Sequence, residues 1–205
     1  EYTARLNEIF KKYNTSGMFY AHASVGTLHV RPVLNMKSDM DIKNMRSISE
    51  EAFEMVKNYK GSHSGEHGDG IVRSEFHEMM FGKNITNAFE EIKDTFDNKN
   101  LLNPGKIVRP FKSNDRSLMR YKSDYQTENI STHYDWSNWG QFSDAIEMCN
   151  NNGACRKLDS GVMCPSYRVT KEEKDLVRGR ANTLRLALSN QLPEGSFASK
   201  EMYET

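Results

Sequence analysis

Four side chains suited to metal or proton chemistry occur in two short segments of the chain. His22 and His29 lie seven residues apart on either side of Gly26, and Glu66 and His67 are adjacent in a glycine-rich stretch. Two histidines and a carboxylate suit zinc, manganese or iron, with coordination positions left open for a substrate oxygen. If a strand pair turns at Gly26, both imidazoles can share one face. From spacing alone, a histidine pair in a strand region is structural or solvent-exposed more often than it is a pair of ligands.

Three cysteines form a second group of potential ligands. Cys149, Cys155 and Cys164 fall within 16 residues, and an odd number in so short a window favours a metal or cluster site over a disulfide framework. Their spacing departs from the usual bacterial iron–sulfur run, because Asn152 occupies the place expected for a further cysteine. The alternatives are three reduced cysteines in a loop, or a zinc site completed by a histidine such as His133.

The composition bears on partners and location. Lysine plus arginine and aspartate plus glutamate number 28 each, so no net charge attracts nucleic acid or an anionic membrane surface. No run of about 18 apolar residues occurs, and the first ten residues lack a secretory signal. We expect no nucleic-acid partner, no membrane span and a cytoplasmic location, with peripheral attachment at the inner membrane as the alternative. The start at Glu1, directly on a helical pattern, predicts a piece of a longer protein.

Hydrophobic periodicity predicts the elements that position these groups. Two extended runs, at 18–21 and 27–34, predict a hairpin around the bend at 22–26. The stretch 61–70 contains four glycines, two serines, two histidines and two acids, which is typical of a functional loop. Helices are predicted at 6–13, 42–59, 74–81, 85–96, 142–148 and 170–188.

These elements predict two parts joined by a linker. Residues 1–110 are expected to form an α+β domain, an antiparallel sheet with helices packed on one face. Residues 111–140 are polar and lack a sustained period, which predicts a surface linker. Residues 141–205 are expected to form a mostly helical segment that carries the cysteines.

Three motifs resemble those of the FAD-linked oxidase family, the D-lactate, D-2-hydroxyglutarate and glycolate dehydrogenases of the vanillyl-alcohol oxidase fold. They occur in the family's order between residues 18 and 108. The first, His22-Ala-Ser-Val-Gly-Thr-Leu-His29, resembles the family's His-x-Gly-Asp-Gly-Asn-Leu-His segment. Glu66-His67-Gly68-Asp69-Gly70 resembles its Glu-His-Gly loop, and Leu101-Leu-Asn-Pro-Gly-Lys106-Ile resembles its closing signature. The resemblance implies a C-terminal domain, with the domain that cradles most of the FAD lying N-terminal to Glu1.

The resemblance also assigns roles to individual residues. It implies that His22, His29 and Glu66 bind a divalent zinc, manganese or iron ion, and that His67 takes the hydroxyl proton of a 2-hydroxyacid near the flavin. A hydroxyl bound to a divalent ion is acidified, and a neutral imidazole can accept its proton while hydride passes to FAD. Asn103 and Lys106 would lie near the flavin.

Two arginines suit the substrate carboxylate, because a guanidinium group forms a planar fork to carboxylate oxygens. Arg73 follows the glycine-rich loop and Arg31 follows His29 by two residues. Either residue could instead form an ordinary surface ion pair. Arg31 stands where many family members have asparagine, and its added positive charge would suit a dicarboxylate such as 2-hydroxyglutarate.

The chain departs from the family pattern elsewhere as well. Ser24 and Val25 stand where the family usually has Gly-Asp. His63 and His77 match no ligand position of the family, and we expect both on a solvated loop or helix surface.

The cysteine region resembles the iron–sulfur segment fused to some large FAD-linked oxidases, through Cys164-Pro-Ser-Tyr-Arg-Val-Thr and Arg178-Gly-Arg180-Ala. A 4Fe–4S cluster would then need a further ligand from chain beyond Thr205 or from a non-cysteine residue. The leading hypothesis is an inactive piece of an FAD-dependent D-2-hydroxyacid dehydrogenase that passes electrons through the cluster to a quinone or carrier protein. A non-catalytic metal or electron-transfer module serving a separate flavin subunit is the alternative, and a metal-dependent hydrolase is a third hypothesis.

Overall fold

The structure, a computed structural model, describes residues 1–161, 163–192 and 196–205. The chain divides into two compact units, Glu1–Asp124 and Tyr125–Thr205. This division falls inside the predicted linker 111–140. Residues 111–124 belong to the first unit because polar contacts hold them there. The backbone N–H of Ser113 donates to Glu75 over 2.7 Å, and Arg116 pairs with Asp39 at 2.7 Å.

The first unit is helix-rich and has a small antiparallel sheet, which agrees with the α+β class. The predicted hairpin is confirmed: β1 (Gly17–His22) pairs with β2 (Thr27–Pro32), and Gly26 takes the left-handed conformation in the turn. The second strand is shorter than predicted and ends at Pro32. The helices are α1 (Tyr2–Lys12), α2 (Asp39–Asn58), α3 (Gly70–Ser74), α4 (His77–Phe81) and α5 (Lys83–Phe96).

The strand register gives the hairpin two different faces. Phe19 is paired with Val30, and its ring stacks on Phe10 of α1 with centroids 5.9 Å apart. Side chains alternate along a strand, so residues one position away point to the other face. That second face carries His22 and His29, whose cross-strand partners are Thr27 and Tyr20. Packing of the hairpin on α1 therefore leaves the two histidines together on the open side.

A buried core supports this hairpin from α1 and α2. Leu6 and Phe10 are buried on α1, and Ile42, Ile48 and Met55 are buried on α2. Ser38 caps α2 by accepting a hydrogen bond from the backbone N–H of Asp41.

The predicted helix 74–81 is found only as α4, and a separate short helix, α3, precedes it and ends at Ser74. The backbone leaves the helical conformation at Phe76, where ψ is 2°. The hydroxyl of Ser74 bonds back to the carbonyl of Gly70 and also accepts the N–H of Ile107 at 3.0 Å. Since serine hydroxyls compete for backbone partners, these bonds favour an interruption. Glu75 lies at this break, and its carboxylate accepts a hydrogen bond from Arg46.

The second unit contains α6 (Phe142–Glu147), α7 (Pro165–Thr170), α8 (Val177–Leu188) and α9 (Lys200–Glu204). The predicted helix at 142–148 is confirmed, whereas the one predicted at 170–188 starts only at Val177. A buried cluster of Cys164, Tyr167 and Leu176 packs against Cys155. Across the part of the chain that the structure describes, no helix has the length and apolar character needed to cross a membrane.

A buried ion pair connects the helices of the first unit, and its loss should lower stability. Nη1 of Arg46 lies 2.8 and 2.9 Å from the two carboxylate oxygens of Glu75, whose side chain is 3% exposed. Burial alone would raise the pKa of Glu75, but hydrogen bonds from Ser113 and Arg46 outweigh it and lower the pKa. We expect Arg46→Met to reduce the free energy of unfolding by roughly 1.5–3 kcal/mol, because a buried carboxylate loses the nearer of its two cationic partners and keeps only Lys112, at 3.6 Å.

Glu50 provides the matched control, since it pairs with the same guanidinium group at the surface. Its carboxylate lies 2.9 Å from Nε of Arg46 and its side chain is 47% exposed. Exposed helix pairs contribute only about 0.3–0.5 kcal/mol, so Glu50→Ala should have little effect. Urea unfolding at pH 7, followed by circular dichroism, measures both variants. If Arg46→Met and Glu50→Ala lowered the free energy of unfolding equally, the ion pair between Arg46 and Glu75 would not be a major source of stability.

Candidate functional site

The open face of the hairpin and the glycine-rich loop bring His22, His29 and Glu66 together. Nε2 of His22 lies 2.9 Å from Oε1 of Glu66, and Nε2 of His29 lies 3.2 Å from the same oxygen. The three ligand-type atoms are all within 4.8 Å of one another. The imidazole centroids are 4.8 Å apart. His29 is the more covered of the two, at 18% exposure against 49% for His22.

A close backbone approach delivers Glu66 to this face. A Cβ atom at Gly65 would lie 2.8 Å from Cγ2 of Thr27, a separation that real Cβ atoms do not tolerate. Thr27 is the cross-strand partner of His22. Only glycine lets the loop lie this close to the strand, and the next residue then reaches both imidazoles.

His67 lies beside this group. Its Nε2 is 3.2 Å from Oε1 of Glu66, and its ring centroid is 4.9 Å from that of His29. Three imidazole nitrogens thus surround one carboxylate oxygen. The side chain of His67 is 58% exposed, which leaves it accessible to a small molecule bound at the same face.

The two predicted substrate arginines differ in their surroundings. Arg31 lies on the same face of the hairpin as His29, exposed, with its guanidinium group 5.6 Å from the ring centroid of Tyr20. Arg73 donates a hydrogen bond of 3.0 Å to the carbonyl of Gly68 and so supports the glycine-rich loop. The geometry favours Arg31 as the group with free donors near the histidines.

Asn103 and Lys106 line a groove of about 480 Å³ in the first unit. Phe89, Ile92 and Ile107 supply much of its apolar wall. The segment before the groove is anchored by Asp97, which pairs with Lys93 and accepts the backbone N–H groups of residues 102 and 101. These contacts lower the pKa of Asp97 to about 2.

The structure corrects the expectation for His63 and His77. Both were expected on a solvated surface, but they are buried, with 7% and 2% exposure. Together with Asp69 they form a second group whose ligand-type atoms lie within 4.8 Å of one another. Sequence reasoning missed this group. The available signal was a histidine within the apolar run of 76–81, where a solvated position is improbable on pattern alone.

The cysteines do not form a comparable group among the residues that the structure describes. Cys164 is buried, and its Sγ accepts the backbone N–H of Val177 at 3.4 Å. Cys155 packs against the cluster that contains Cys164, and Cys149 contacts Asn151. Arg178 pairs with Glu173 at 2.6 Å and donates a hydrogen bond of 3.2 Å to the carbonyl of Asn151, in the segment between Cys149 and Cys155.

Residues 1–107, just over half of the chain, match the family model described as FAD linked oxidases, C-terminal domain. The chain belongs to the FAD-linked oxidase family. The D-2-hydroxyglutarate dehydrogenase of Pseudomonas putida is 34% identical over 90% of this FAD-linked oxidase chain and 18% of the relative. That of Haemophilus influenzae is 34% identical over 95% of the chain and 19% of the relative. The D-lactate dehydrogenase of Archaeoglobus fulgidus is 33% identical over 53% of the chain and 24% of the relative.

The two D-2-hydroxyglutarate dehydrogenase matches cover most of this chain but only a small part of each relative. This FAD-linked oxidase chain spans about a fifth of the length of the curated relatives it matches. No solved structure matches it. The predicted site residues from His22 to Lys106 all fall within the part that matches the family model.

Proposed function

We propose that this chain is part of an FAD-dependent dehydrogenase that oxidises a D-2-hydroxyacid to the 2-oxoacid. The observation that carries the proposal is the convergence of His22, His29 and Glu66 on one point, with His67 beside them. Membership of the FAD-linked oxidases supplies the redox cofactor. D-lactate, D-2-hydroxyglutarate and glycolate are the candidate substrates, in line with the names of the relatives.

The donor set of this group fits a divalent metal ion. Two imidazole nitrogens and a carboxylate oxygen suit zinc, manganese or iron, and these atoms lie within 4.8 Å of one another. We propose that His22, His29 and Glu66 hold the ion. When bound, it would acidify the substrate hydroxyl and orient the acid. Partial exposure of His22 and Glu66, at 49% and 42%, leaves room for a substrate to approach.

His67 is proposed as the base that accepts the hydroxyl proton. Its imidazole lies next to the metal-binding group and is exposed, so it can reach a hydroxyl oxygen held there. When bound, FAD would supply the acceptor for the hydride that leaves the substrate carbon, while the role of His67 is to take the hydroxyl proton.

Arg31 is proposed to bind a carboxylate of the substrate, and Arg73 to position the glycine-rich loop. Arg31 is exposed on the histidine face, and a second carboxylate of 2-hydroxyglutarate would find a guanidinium partner there. D-2-hydroxyglutarate is therefore our preferred substrate. The two D-2-hydroxyglutarate dehydrogenases named above match 90% and 95% of the chain, whereas the D-lactate relative matches 53%.

The groove beside Asn103 and Lys106 is proposed to contact the flavin. Its apolar wall suits an aromatic ring system, and Asn103 and Lys106 offer polar groups at its edge. We propose that most of the FAD is held outside this chain, because the matching family model describes only a C-terminal domain.

For the second unit we propose an iron–sulfur relay. Cys164 is buried and receives a backbone N–H on its sulfur, and such bonds accompany cluster ligands. Cys155 lies next to it and Cys149 would be the third ligand. A one-electron relay would carry electrons from reduced FAD to a quinone or carrier protein. On this proposal, residues 1–110 form the substrate-side domain and 141–205 begin the cluster segment.

One experiment tests these assignments together. The longer native protein is analysed for metals, and its ultraviolet–visible spectrum is recorded before and after anaerobic addition of each D-2-hydroxyacid. Flavin bands that bleach, fastest with D-2-hydroxyglutarate, are the expected result. A cluster spectrum without flavin would favour an electron-transfer module, and metal without either chromophore would favour a hydrolase. Either of these outcomes would overturn the dehydrogenase proposal.

The close approach at Gly65 offers a sharper test of the metal site. His22, His29 and Glu66 are called the His22 group below. We expect Gly65→Ala to weaken binding of the ion to this group by roughly 10–100-fold, which is the usual effect of disturbing a residue that supports a metal ligand. The reason is that the added Cβ would collide with Cγ2 of Thr27 and push Glu66 away. Zinc affinity is measured by competition with a chromophoric chelator.

Removal of the colliding methyl group provides the matched control. Thr27→Ser deletes Cγ2 and keeps the hydroxyl, so the double variant Gly65→Ala/Thr27→Ser should recover most of the affinity. Recovery would be absent if the substitution at Gly65 acted through the flexibility of the loop alone. If Gly65→Ala alone left the zinc affinity unchanged, this result would contradict the role given to Glu66.

A further inference from the structure

The interior of the first unit contains a second group of ligand-type side chains. His63, Asp69 and His77 present ring nitrogens and a carboxylate oxygen within 4.8 Å of one another. In contrast to the His22 group, both histidines are buried, with 7% and 2% exposure. The proposed reaction uses neither of them.

His77 is oriented so that one ring nitrogen is available as a ligand. Its Nδ1 lies 3.4 Å from the carbonyl oxygen of Ile107 and its Nε2 lies 3.1 Å from Oδ2 of Asp69, and both oxygens can only accept. When the ring donates Nδ1–H to Ile107, the lone pair of Nε2 faces Asp69. A lone pair facing a carboxylate oxygen is repelled unless a proton or cation lies between them. Histidines that bind metals typically donate their other N–H to a backbone carbonyl in this way.

His63 supplies an independent observation. Among the described residues, neither of its buried ring nitrogens has a partner with the distance and angles of a hydrogen bond, although a backbone group of Arg73 lies near enough to act on the pKa of the ring. The rings of Phe53 and Phe81 lie 5.3 and 5.8 Å from its centroid, and the ring of His77 lies 5.4 Å away. An unpaired buried polar group destabilises the folded state, and a bond to a metal ion would remove that cost.

The protonation of the group agrees with metal binding. Burial, and then the neighbouring His77, lower the pKa of His63, so its ring is neutral near pH 7. Burial alone would raise the pKa of Asp69, but the Ser64 hydroxyl and His77 outweigh it, and Asp69 is ionised. A metal ion binds the neutral imidazole and the ionised carboxylate, and the lowered pKa values of His63 and Asp69 favour these forms.

We infer that His63, Asp69 and His77 bind a second divalent ion, for which zinc is the best fit. Two imidazoles and one carboxylate favour zinc over magnesium or calcium, which prefer oxygen ligands. A water molecule would complete a tetrahedral site. Because both histidines are buried and only Asp69, at 25% exposure, is partly open to solvent, we assign the ion a structural role.

The position of this site suggests what it stabilises. His63 lies near the start of the glycine-rich loop, Asp69 near its end, and His77 on α4. An ion bound to all three would restrain both ends of a loop whose four glycines give it high backbone freedom. Glu66 and His67 lie between the restrained points. The second ion would therefore preorganise the loop that serves the proposed reaction, although the inference itself does not depend on that reaction.

Metal titrations of the full chain test the inference. The metal-free chain is titrated with Zn²⁺ against a chromophoric chelator and with Co²⁺ followed by visible absorption. We expect two ions with nitrogen and oxygen ligands in the wild type and one in Glu66→Gln. One ion is also expected in His63→Leu/His77→Leu. No such ion is expected in the variant that combines Glu66→Gln with both leucine substitutions. Ions held by cysteines are recognised by a thiolate-to-cobalt band in the near ultraviolet and counted separately.

The design separates failure of this inference from failure of the proposed function. Retention of both ions in His63→Leu/His77→Leu, or loss of both in Glu66→Gln, would overturn the inference. A single ion that survives Glu66→Gln and disappears in His63→Leu/His77→Leu would uphold it and refute the metal role of Glu66. Circular dichroism checks that the leucine variant is folded. If it is not, the Glu66→Gln titration decides, because that variant leaves the buried group intact.

Discussion

Replacement of His67 by alanine in the FAD-containing protein should lower the rate of flavin reduction by roughly 10²–10⁴-fold, the usual contribution of a general base. His67 is the exposed imidazole beside the His22 group, with its ring centroid 4.9 Å from that of His29. The substitution removes the imidazole that we propose as the acceptor of the substrate proton. Stopped-flow measurement of flavin absorbance under single-turnover conditions isolates this step from product release.

Metal content decides how a loss of rate in this variant is interpreted. His67→Ala should retain the ion of the His22 group, because His22, His29 and Glu66 are unchanged. Loss of the ion would mean that His67 is a ligand and that another group is the base. His133→Ala is the control, since His133 is an exposed histidine of the second unit. Its rate of flavin reduction should equal that of the wild type. An unchanged rate in His67→Ala would refute the base assignment.

The sequence predicted the hairpin because local information suffices for it. Two extended runs flank Gly26, and glycine adopts the φ of 67° found at the turn without steric cost. The period of two along each strand then makes it possible for His22 and His29 to share a face. The long helix α2 and the helix α5 were predicted for a similar reason, because apolar residues recur at helical spacing in each.

The sequence did not reveal the buried group because its members depend on tertiary packing. His63 is enclosed by Phe53 of α2 and Phe81 of α4, which are far from it in the chain and have no pattern linking them to it. The break between α3 and α4 was also missed. It depends on the contact of Ser74 with Ile107 and on the pairing of Glu75 with Arg46, both of which are long-range.

The boundary between the two units illustrates the same limit. Composition predicted a polar linker at 111–140, and polar residues are indeed abundant there. Ser113 and Arg116 nevertheless bond to residues of the first unit, to Glu75 and Asp39. Hydrogen bonds to charged groups can fix an irregular segment without any apolar period, and periodicity cannot detect this.

Glu66→Gln should have the second large effect, on the metal. Oε1 of Glu66 is the atom that both His22 and His29 approach, at 2.9 and 3.2 Å. Glutamine keeps the shape of the side chain but removes its negative charge. Loss of a residue that only supports a metal ligand lowers metal affinity by roughly 10–100-fold. Because Glu66 is itself a proposed ligand, the affinity of the His22 group for zinc should fall by more than this. Flavin reduction should fall at least about 10²-fold, since a bound ion contributes several kcal/mol to such a reaction.

Two further substitutions show whether charge, rather than a general loss of structure, explains that result. Glu66→Asp keeps the charge and shortens the side chain by one methylene group, so it should bind the ion more weakly than wild type and more tightly than Glu66→Gln. Glu8→Gln removes the same charge from an exposed position of α1 and should leave affinity unchanged. Affinities are compared by chelator competition at one ionic strength. If Glu66→Asp and Glu66→Gln were equally weak, the position of the carboxylate rather than its charge would govern binding. Normal affinity in both would exclude Glu66 as a ligand, and the two imidazoles would then need an acid from another part of the protein.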